Sequence, residues 1–443
     1  MYEFAHWPTD TVQELFYVKG RIGWRGLKRK DFSGDGPYLI TGMHINDSGG
    51  VDWDACFRIP QRKYDESPEI MVSRDDLVIT KDGTIGKVAY IDSLLGPTSL
   101  NSHLFLVRPK ASERIQPRFA FHIFRSAAFQ KFIERQKSGS TLAGLSEAKF
   151  LCFRVPTPDA SEQRKCVEVL DALDNTISCT EAMIGKLERV KQALMHDLLT
   201  RGINANGELR PSSQDAARLY RASQLGPIPE GWNVLGLRDM GQSTRTVLKT
   251  GPFGSSLKGE HLTDTGRPVV TIGSLGVGRF IEEALLYVSE ATAKALIEYE
   301  LIPGDIAFSR VADVGRSVVV EDAQRGWIMS SNFMRISTDA TRVLPELLQS
   351  VLAFDARVKR QIRSTVNSAG RDVASSAILM SLRFAVPPLP EQAMIVDRMK
   401  AAEAHIAREH EHLEKLGRMK SGLMDDIFTG RVRVTNVLDT ATA

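Results

Sequence analysis

The sequence predicts an α+β chain: two mixed α/β domains at opposite ends of a long antiparallel two-helix coiled coil, related by a pseudo-twofold internal repeat. Three observations carry this expectation. Matched segments recur in the same order at a nearly constant offset, each half closes on a proline-marked turn, and each turn opens a long heptad pattern.

The repeat is explicit in the residues. "DDLVITKDGTIGKVAYID" from Asp75 matches "GDIAFSRVADVGRSVVVED" from Gly304, placing Asp76 on Asp305, an offset of 229 (305 − 76). Lys81 then falls on Arg310, Gly86 on Gly315 and Lys87 on Arg316. "SLNSHLFLV" aligns with "SSNFMRIS", placing Asn101 on Asn332, "FRVP" matches "FAVP", and Glu162-Gln163 repeats as Glu391-Gln392. Loops between these segments differ in length and content, so one scaffold carries two different surfaces.

The elements follow in order. Residues 1–155 and 225–386 carry short β-branched or aromatic runs ("LFLV", "VVTI", "SVVVED") broken by Gly and Asp, with helical stretches such as "EATAKALIEYEL". Residues 156–202 and 387–432 read as the long helices. Pro390 suits the first helical position, where its missing N–H is no loss, and Asp159 or Ser161 can cap the first helix. The apolar positions run Leu170, Leu173, Ile177, Thr180, Ile184, Leu187, Lys191, Leu194, Leu198 and Met399, Ala402, Ile406, Glu409, Leu413, Leu416, Lys420, Leu423, Ile427. Both series are interrupted by polar residues at the same two places, as two copies of one seam require.

Each helix runs for roughly 38 residues, about 57 Å at 1.5 Å per residue. A helix of that length with one apolar stripe needs a partner, and its own duplicate is the simplest; the competing arrangement packs each helix into its own α/β domain. Antiparallel pairing lets residues 203–224, rich in Gly, Pro, Ser and Asn, act as a short connector. A parallel pair stretches those about 20 residues to their limit at ~3.3 Å each. Residues 433–443 form a tail.

Bulk composition narrows the class. The 443 residues are 42% hydrophobic and 25% charged, an ordinary globular balance with room for two cores. The N-terminus lacks a basic segment followed by an apolar one, and no apolar run reaches the roughly 20 residues of a membrane span, so a cytoplasmic location is expected. Four cysteines without C-x-x-C spacing predict neither disulfides nor zinc, and Cys152 in "KFLCFRV" reads as a small buried residue of a strand. The net charge of +3 does not argue for nucleic acid, but "GRIGWRGLKRKDF" clusters Arg21, Arg25, Lys28, Arg29 and Lys30. Such a run is usually a solvated face.

Enzyme signatures fail. "DGTIGKV" lacks phosphate-loop spacing, and "GSLGVGRF" misses the dinucleotide pattern. "VPPL" at 386–389 has the prolines of an amino-methyltransferase motif without its preceding Asn or Asp or its following aromatic. His405, His410 and His412 lie in a strongly polar helix and read as solvated, so no metal site is expected.

With these residues in view, the chain resembles the specificity subunit of type I restriction-modification systems. "GTIGK" (Gly83–Lys87) with its degenerate partner "ADVGR", Asn101 and Asn332, "GSTLAGLS" at 139–146, "PPLPEQ" at 387–392, and the endings "LMHDLLTRGI" and "LMDDIFTGRV" carry the resemblance over nearly the whole chain. Departures are "TPDASEQ" at the first helix and "SAGRDVASS" in place of the second "GSTLAGLS". The resemblance implies two target-recognition domains (1–155 and 225–386), each followed by a spacer helix, reading an asymmetric bipartite DNA site with a fixed gap. It also implies a non-catalytic chain that binds no cofactor itself. Its implied partners are double-stranded DNA, two methyltransferase subunits using S-adenosylmethionine, and restriction subunits using ATP and Mg2+.

The helical rod matches roughly 17 base pairs at ~3.4 Å each, leaving an unread gap of about 5–10. Expected phosphate contacts are Lys28, Arg29, Lys30, Arg62, Lys63, Lys258 and Arg316; Lys81 and Arg310 suit guanine edges, Asn101, Asn332 and Asn367 suit adenine, and Lys87 and Arg371 are further expected DNA-binding residues. Each is equally readable as surface solubility or local turn bonding. The helix positions Leu170, Leu173, Ile177, Ile184, Leu187, Leu194, Leu198, Met399, Ile406, Leu413, Leu416, Leu423 and Ile427 are the expected seam. Two other classes stay open: a scaffold whose α/β domains bind proteins, and the recognition part of a self-sufficient restriction enzyme.

Overall fold

The computed structural model describes residues 7–21, 32–137, 144–253, 256–276, 278–311, 314–368 and 373–432. It divides into two compact units: one takes the chain as far as Ile184 together with the stretch from Glu409 onward, and the other is Gly185–Arg408. Lys28, Arg29, Lys30 and Arg371 lie outside the described residues, as does the side chain of Asn367.

The first unit is built on β1 (Phe16–Gly20), β2 (Leu77–Thr80), β3 (Val88–Tyr90) and β4 (Leu104–Pro109), an antiparallel sheet ordered β1-β4-β2-β3. Every residue of β2 is buried, because both faces of the sheet are covered. Leu77 and Ile79 face a core with Phe119, Phe121 and Phe124 of α1 (Pro117–Arg125). Val78 faces the opposite way, into a core with Ile40 and Leu100 of a second sheet, where Leu39 and Ser99 pair in parallel. The unit also takes the opening turns of α2 (Ala160–Thr200).

The second unit repeats this plan. β5 (Leu248–Thr250), β6 (Asp305–Ser309), β7 (Ser317–Val319) and β8 (Phe333–Ser337) are ordered β5-β8-β6-β7. Register is preserved: Ile79 opposes Phe105 in the first unit, and Phe308 opposes Met334 in the second. Ile306 and Phe308 face one core with α3 (Pro345–Phe354), while Ala307 faces another beneath a second sheet. The buried Asp76 and Asp305 hold equivalent turns, accepting from the backbone of Ser73 and Ile302 and pairing with Arg108 and Arg245. The expected strand at "KFLCFRV" is a correction: Glu147–Leu151 is helix, the strand starts at Arg154, and Cys152 is exposed. Ser146 caps that helix and ends the strand reading.

The second long helix, α4 (Leu389–Phe428), contributes its opening turns to the second unit and its closing turns to the first. Within each unit the two helices run antiparallel. In the first, Cys166 and Leu170 share a core with Met424, Ile427 and Phe428, and Asp174 meets Lys420. In the second, Met195, Leu198 and Leu199 pack with Ile395, Val396 and Met399, and Lys191 meets Glu403 at 2.7 Å. Asp159 is the first helix's cap, accepting from Ser161 and Glu162, and Pro390 stands one position inside α4. Leu170, Ile184, Leu198, Met399, Leu416 and Ile427 are buried; Leu173, Ile177, Leu187, Leu194, Ile406, Leu413 and Leu423 are half-buried.

The repeated Glu-Gln pair has a physical role. Gln392 is fully buried at the mouth of α4; its amide donates to the carbonyls of Arg342 and Pro387 and accepts from the backbone of Leu344. Gln163 makes the same three bonds with Arg114, Pro158 and Gln116. One side chain thus ties each helix start to its proline turn and to the loop before the preceding helix. Gln392→Ala leaves one buried and two part-buried backbone groups without this partner and is expected to cost about 2–4 kcal/mol. Urea denaturation measures this, and a change below about 1 kcal/mol contradicts it.

Glu391 does a second job. It accepts from the backbone of Ile203, from Trp232 Nε1 at 3.1 Å and from both Nη atoms of Arg210. Gly202, at φ +64, permits this approach, since a Cβ there meets Glu391, Trp232 and Arg210. The segment after α2 is therefore fastened to the start of α4.

Candidate nucleic-acid interface

Both units bring the same three backbone segments together at one edge of the main sheet. In the first, β2 ends at Thr80, and the Lys81 N–H donates to the carbonyl of His103, just before β4. The Leu145 N–H donates to the carbonyl of Lys81, while Asp82 bridges Gly144. In the second, Arg310 N–H donates to Asn332, Ala374 N–H donates to Arg310, and Val311 bridges Val373. Gly144 and Leu145 in the first unit, and Val373 and Ala374 in the second, thus pair equivalently with the two strand ends.

The side chains at these edges are polar and differ between units. Lys81 lies with its ammonium 5.0 Å from the Phe105 ring centroid. The Asn101 side-chain carbonyl accepts from the His103 N–H, which leaves its amide for other partners. His103 also meets Asp82 at 3.2 Å. In the second unit Arg310 is half-buried, and its Nε is buried with no hydrogen-bond partner among the described residues. The fold brings Lys81 and Asn101 together at one edge and Arg310 and Asn332 at the other, but the expected match of Asn101 with Asn332 is a correction: Asn332 holds the place of His103, its carbonyl accepting from Arg310 as that of His103 accepts from Lys81.

Others are placed apart or already occupied. Arg62 is exposed on the helix Gln61–Asp65, and Lys63 pairs with Glu66 at 2.8 Å. Lys87 meets Asp47 at 3.1 Å, and Lys258 meets Glu260 at 3.4 Å. Arg316 donates to the carbonyl of Leu275. Arg21, counted in the basic cluster, is a correction: it is buried and donates to Leu100, Ser67 and Ser99, holding the two sheets of the first unit together.

A polar network that sequence reasoning missed lies between α1 and the long helices of the first unit. His122 is fully buried, and its Nε2 donates to Asp171 Oδ1 at 2.7 Å, since an ionised carboxylate only accepts. Arg118 also binds Asp171, while Lys420 and Arg125 approach Asp174. Ligand atoms of His122, Asp171 and Asp174 lie within 4.8 Å of one another, close enough for a small cation. Three basic side chains already offset both carboxylates, so a divalent ion adds uncompensated charge.

Burial pushes the His122 pKa below its ordinary 6.5, outweighing the pull of Asp171. The folded chain therefore keeps His122 neutral at a pH where the unfolded chain protonates. This contribution is complete above 6.5 and is lost progressively as pH falls below it. Thermal unfolding from pH 7.5 to 5 is expected to fall more steeply for the wild type than for His122→Asn. Parallel curves contradict this.

Residues 9–189 match the family model described as the type I restriction modification DNA specificity domain. Over its length the chain resembles type I restriction enzyme specificity subunits. The putative MjaX specificity subunit of Methanocaldococcus jannaschii is 23% identical over 434 residues, covering 97% of this chain and 94% of that protein. The EcoKI specificity subunit of Escherichia coli is 22% identical over 378 residues, covering 83% and 75%. Among solved structures, the type I restriction-modification S subunit from M. genitalium superposes with a TM-score of 0.52 at 14% identity, covering 95% of each chain. A chain from a structure of type I R-M complex assembly and conformational transition gives 0.60 at 15%, covering 96% and 98%. No helix among the described residues is long and apolar enough to cross a membrane.

Proposed function

We propose that this chain is the DNA-reading subunit of a type I restriction-modification complex and recognises an asymmetric bipartite site. The observation that carries this reading is the pair of matched strand-end edges. One scaffold, repeated, presents Lys81 and Asn101 in one unit and Arg310 and Asn332 in the other. Arg or Lys reads guanine and Asn reads adenine in the major groove, so Lys81 and Arg310 at matched positions, each with an asparagine at a different place beside it, suit two different half-sites. The long helices, each contributing to both units, supply the spacing and the seats for two methyltransferase subunits; restriction subunits complete the complex. Catalysis, with S-adenosylmethionine, ATP and Mg2+, belongs to those partners. The chain works in the cytoplasm.

Binding of the chain to duplex DNA, measured against salt, tests the reading. Neutralising Z phosphates gives a slope of about −0.9Z in log K against log[salt]. A slope steeper than about −3 is the expected result; a flat dependence, as for a protein-binding scaffold, overturns it. Arg310→Ala is expected to weaken binding by about 1–3 kcal/mol and to relax one half-site only, read by competition between duplexes with single substitutions.

A further inference from the structure

The most exposed large apolar side chains among the described residues are Met43, at 77%, and Phe253, at 75%. Single exposed apolar residues are ordinary on protein surfaces. These two, however, fall one in each unit and at the same edge. Met43 sits in the helical turn Gly42–His44, separated by one residue from Ile40, whose carbonyl accepts from the Asn101 N–H. The same turn packs on β2's last residue, where a Cβ on Gly42 comes within 3.2 Å of Thr80 Cγ2. Phe253 follows β5: the Gly251 N–H donates to Phe333, and a Cβ on Gly251 meets the Ser330 carbonyl, beside Asn332.

The two side chains come from different elements. The position of Met43 is taken in the second unit by Gly273, in the equivalent turn Ile272–Ser274. A shared folding need does not explain them, since neither packs in a core. What they share is the edge at which Lys81 and Asn101, or Arg310 and Asn332, converge. On DNA, apolar groups at such an edge pack against thymine methyl groups or against base faces at an opened step.

We propose that Met43 and Phe253 are apolar base contacts, one for each half-site, a role that rests on the DNA-reading function above. Each removes its exposed surface from water only when DNA is seated, adding affinity without touching a phosphate. The contribution therefore differs from that of the basic residues in being independent of salt.

The test uses the full chain with its methyltransferase partner and a duplex carrying the motif that the complex methylates. Dissociation constants are measured from low to high KCl for the wild type, Met43→Ser, Phe253→Ser and Arg62→Ala. The expected result is at least tenfold weaker binding for each of the two serine variants, with the wild-type salt slope retained. Arg62→Ala, at an expected phosphate contact, serves as the electrostatic reference and flattens the slope by about 1. Affinities of both serine variants within twofold of the wild type at every salt concentration overturn the proposal. A flattened slope for either variant overturns it for that residue. If the wild-type complex itself shows no salt-dependent preference for its motif, the underlying DNA-reading function fails, a result distinct from failure of the apolar contacts alone.

Discussion

Replacing Glu391 with alanine is expected to destabilise the second unit by about 3–5 kcal/mol, the cost of removing one partner from a buried ion pair. The Glu391 side chain is almost completely enclosed, and Arg210 is four-fifths enclosed beside it. Without the carboxylate, the guanidinium loses both of its Nη bonds to Glu391. The Trp232 indole N–H and the Ile203 amide lose their acceptor at the same time. Glu391→Gln, which keeps one acceptor oxygen, is expected to cost less. Denaturant unfolding of the two variants measures the difference, and a Glu391→Ala penalty under about 1 kcal/mol contradicts this role.

Lys420→Met is expected to cost about 3 kcal/mol, whereas Lys191→Met costs under about 1 kcal/mol, although the two lysines occupy equivalent heptad positions. Both interrupt an apolar seam and both meet an acid of the opposite helix. Their surroundings decide the difference. Lys420 and Asp174 are largely enclosed with Arg125 and His122 nearby, so the lost ammonium leaves a buried carboxylate with reduced compensation. Half of the Glu403 side chain is exposed, and water takes over when Lys191 is removed. Equal penalties for the two variants contradict the account.

Much of this was legible in the sequence because duplication compares the chain with itself. The offset that aligns Asp76 with Asp305 also aligns Gln163 with Gln392, and both pairs make equivalent bonds. The heptads announced helices, because an apolar stripe at that spacing has one physical use. Capping chemistry was visible in Asp159 but not in Ser146, where an apolar run suggested strand and a five-residue helix formed instead.

The candidate edge was only half legible. Lys81 and Arg310 were found because they follow repeated strands. Met43 and Phe253 were not, since exposure is a tertiary property and an apolar residue in a loop carries no period. His122 was hidden for the opposite reason: within "RFAFHIFR" it looks like part of an apolar face, and only the approach of Asp171 from another helix reveals the network. Arg21 shows the same limit for charge. A basic run marks a surface until one of its members is drawn inward by three acceptors.

The most direct measurement of the central claim is methylome sequencing of cells expressing this chain with a partner methyltransferase, alongside cells lacking the chain and cells in which residues 225–386 are exchanged for those of a relative. The account predicts methylation at one asymmetric motif with a fixed unread gap, present only with the chain, and a change confined to one half of the motif after the exchange. Methylation that is the same with and without the chain, or a motif that survives the exchange intact, contradicts it.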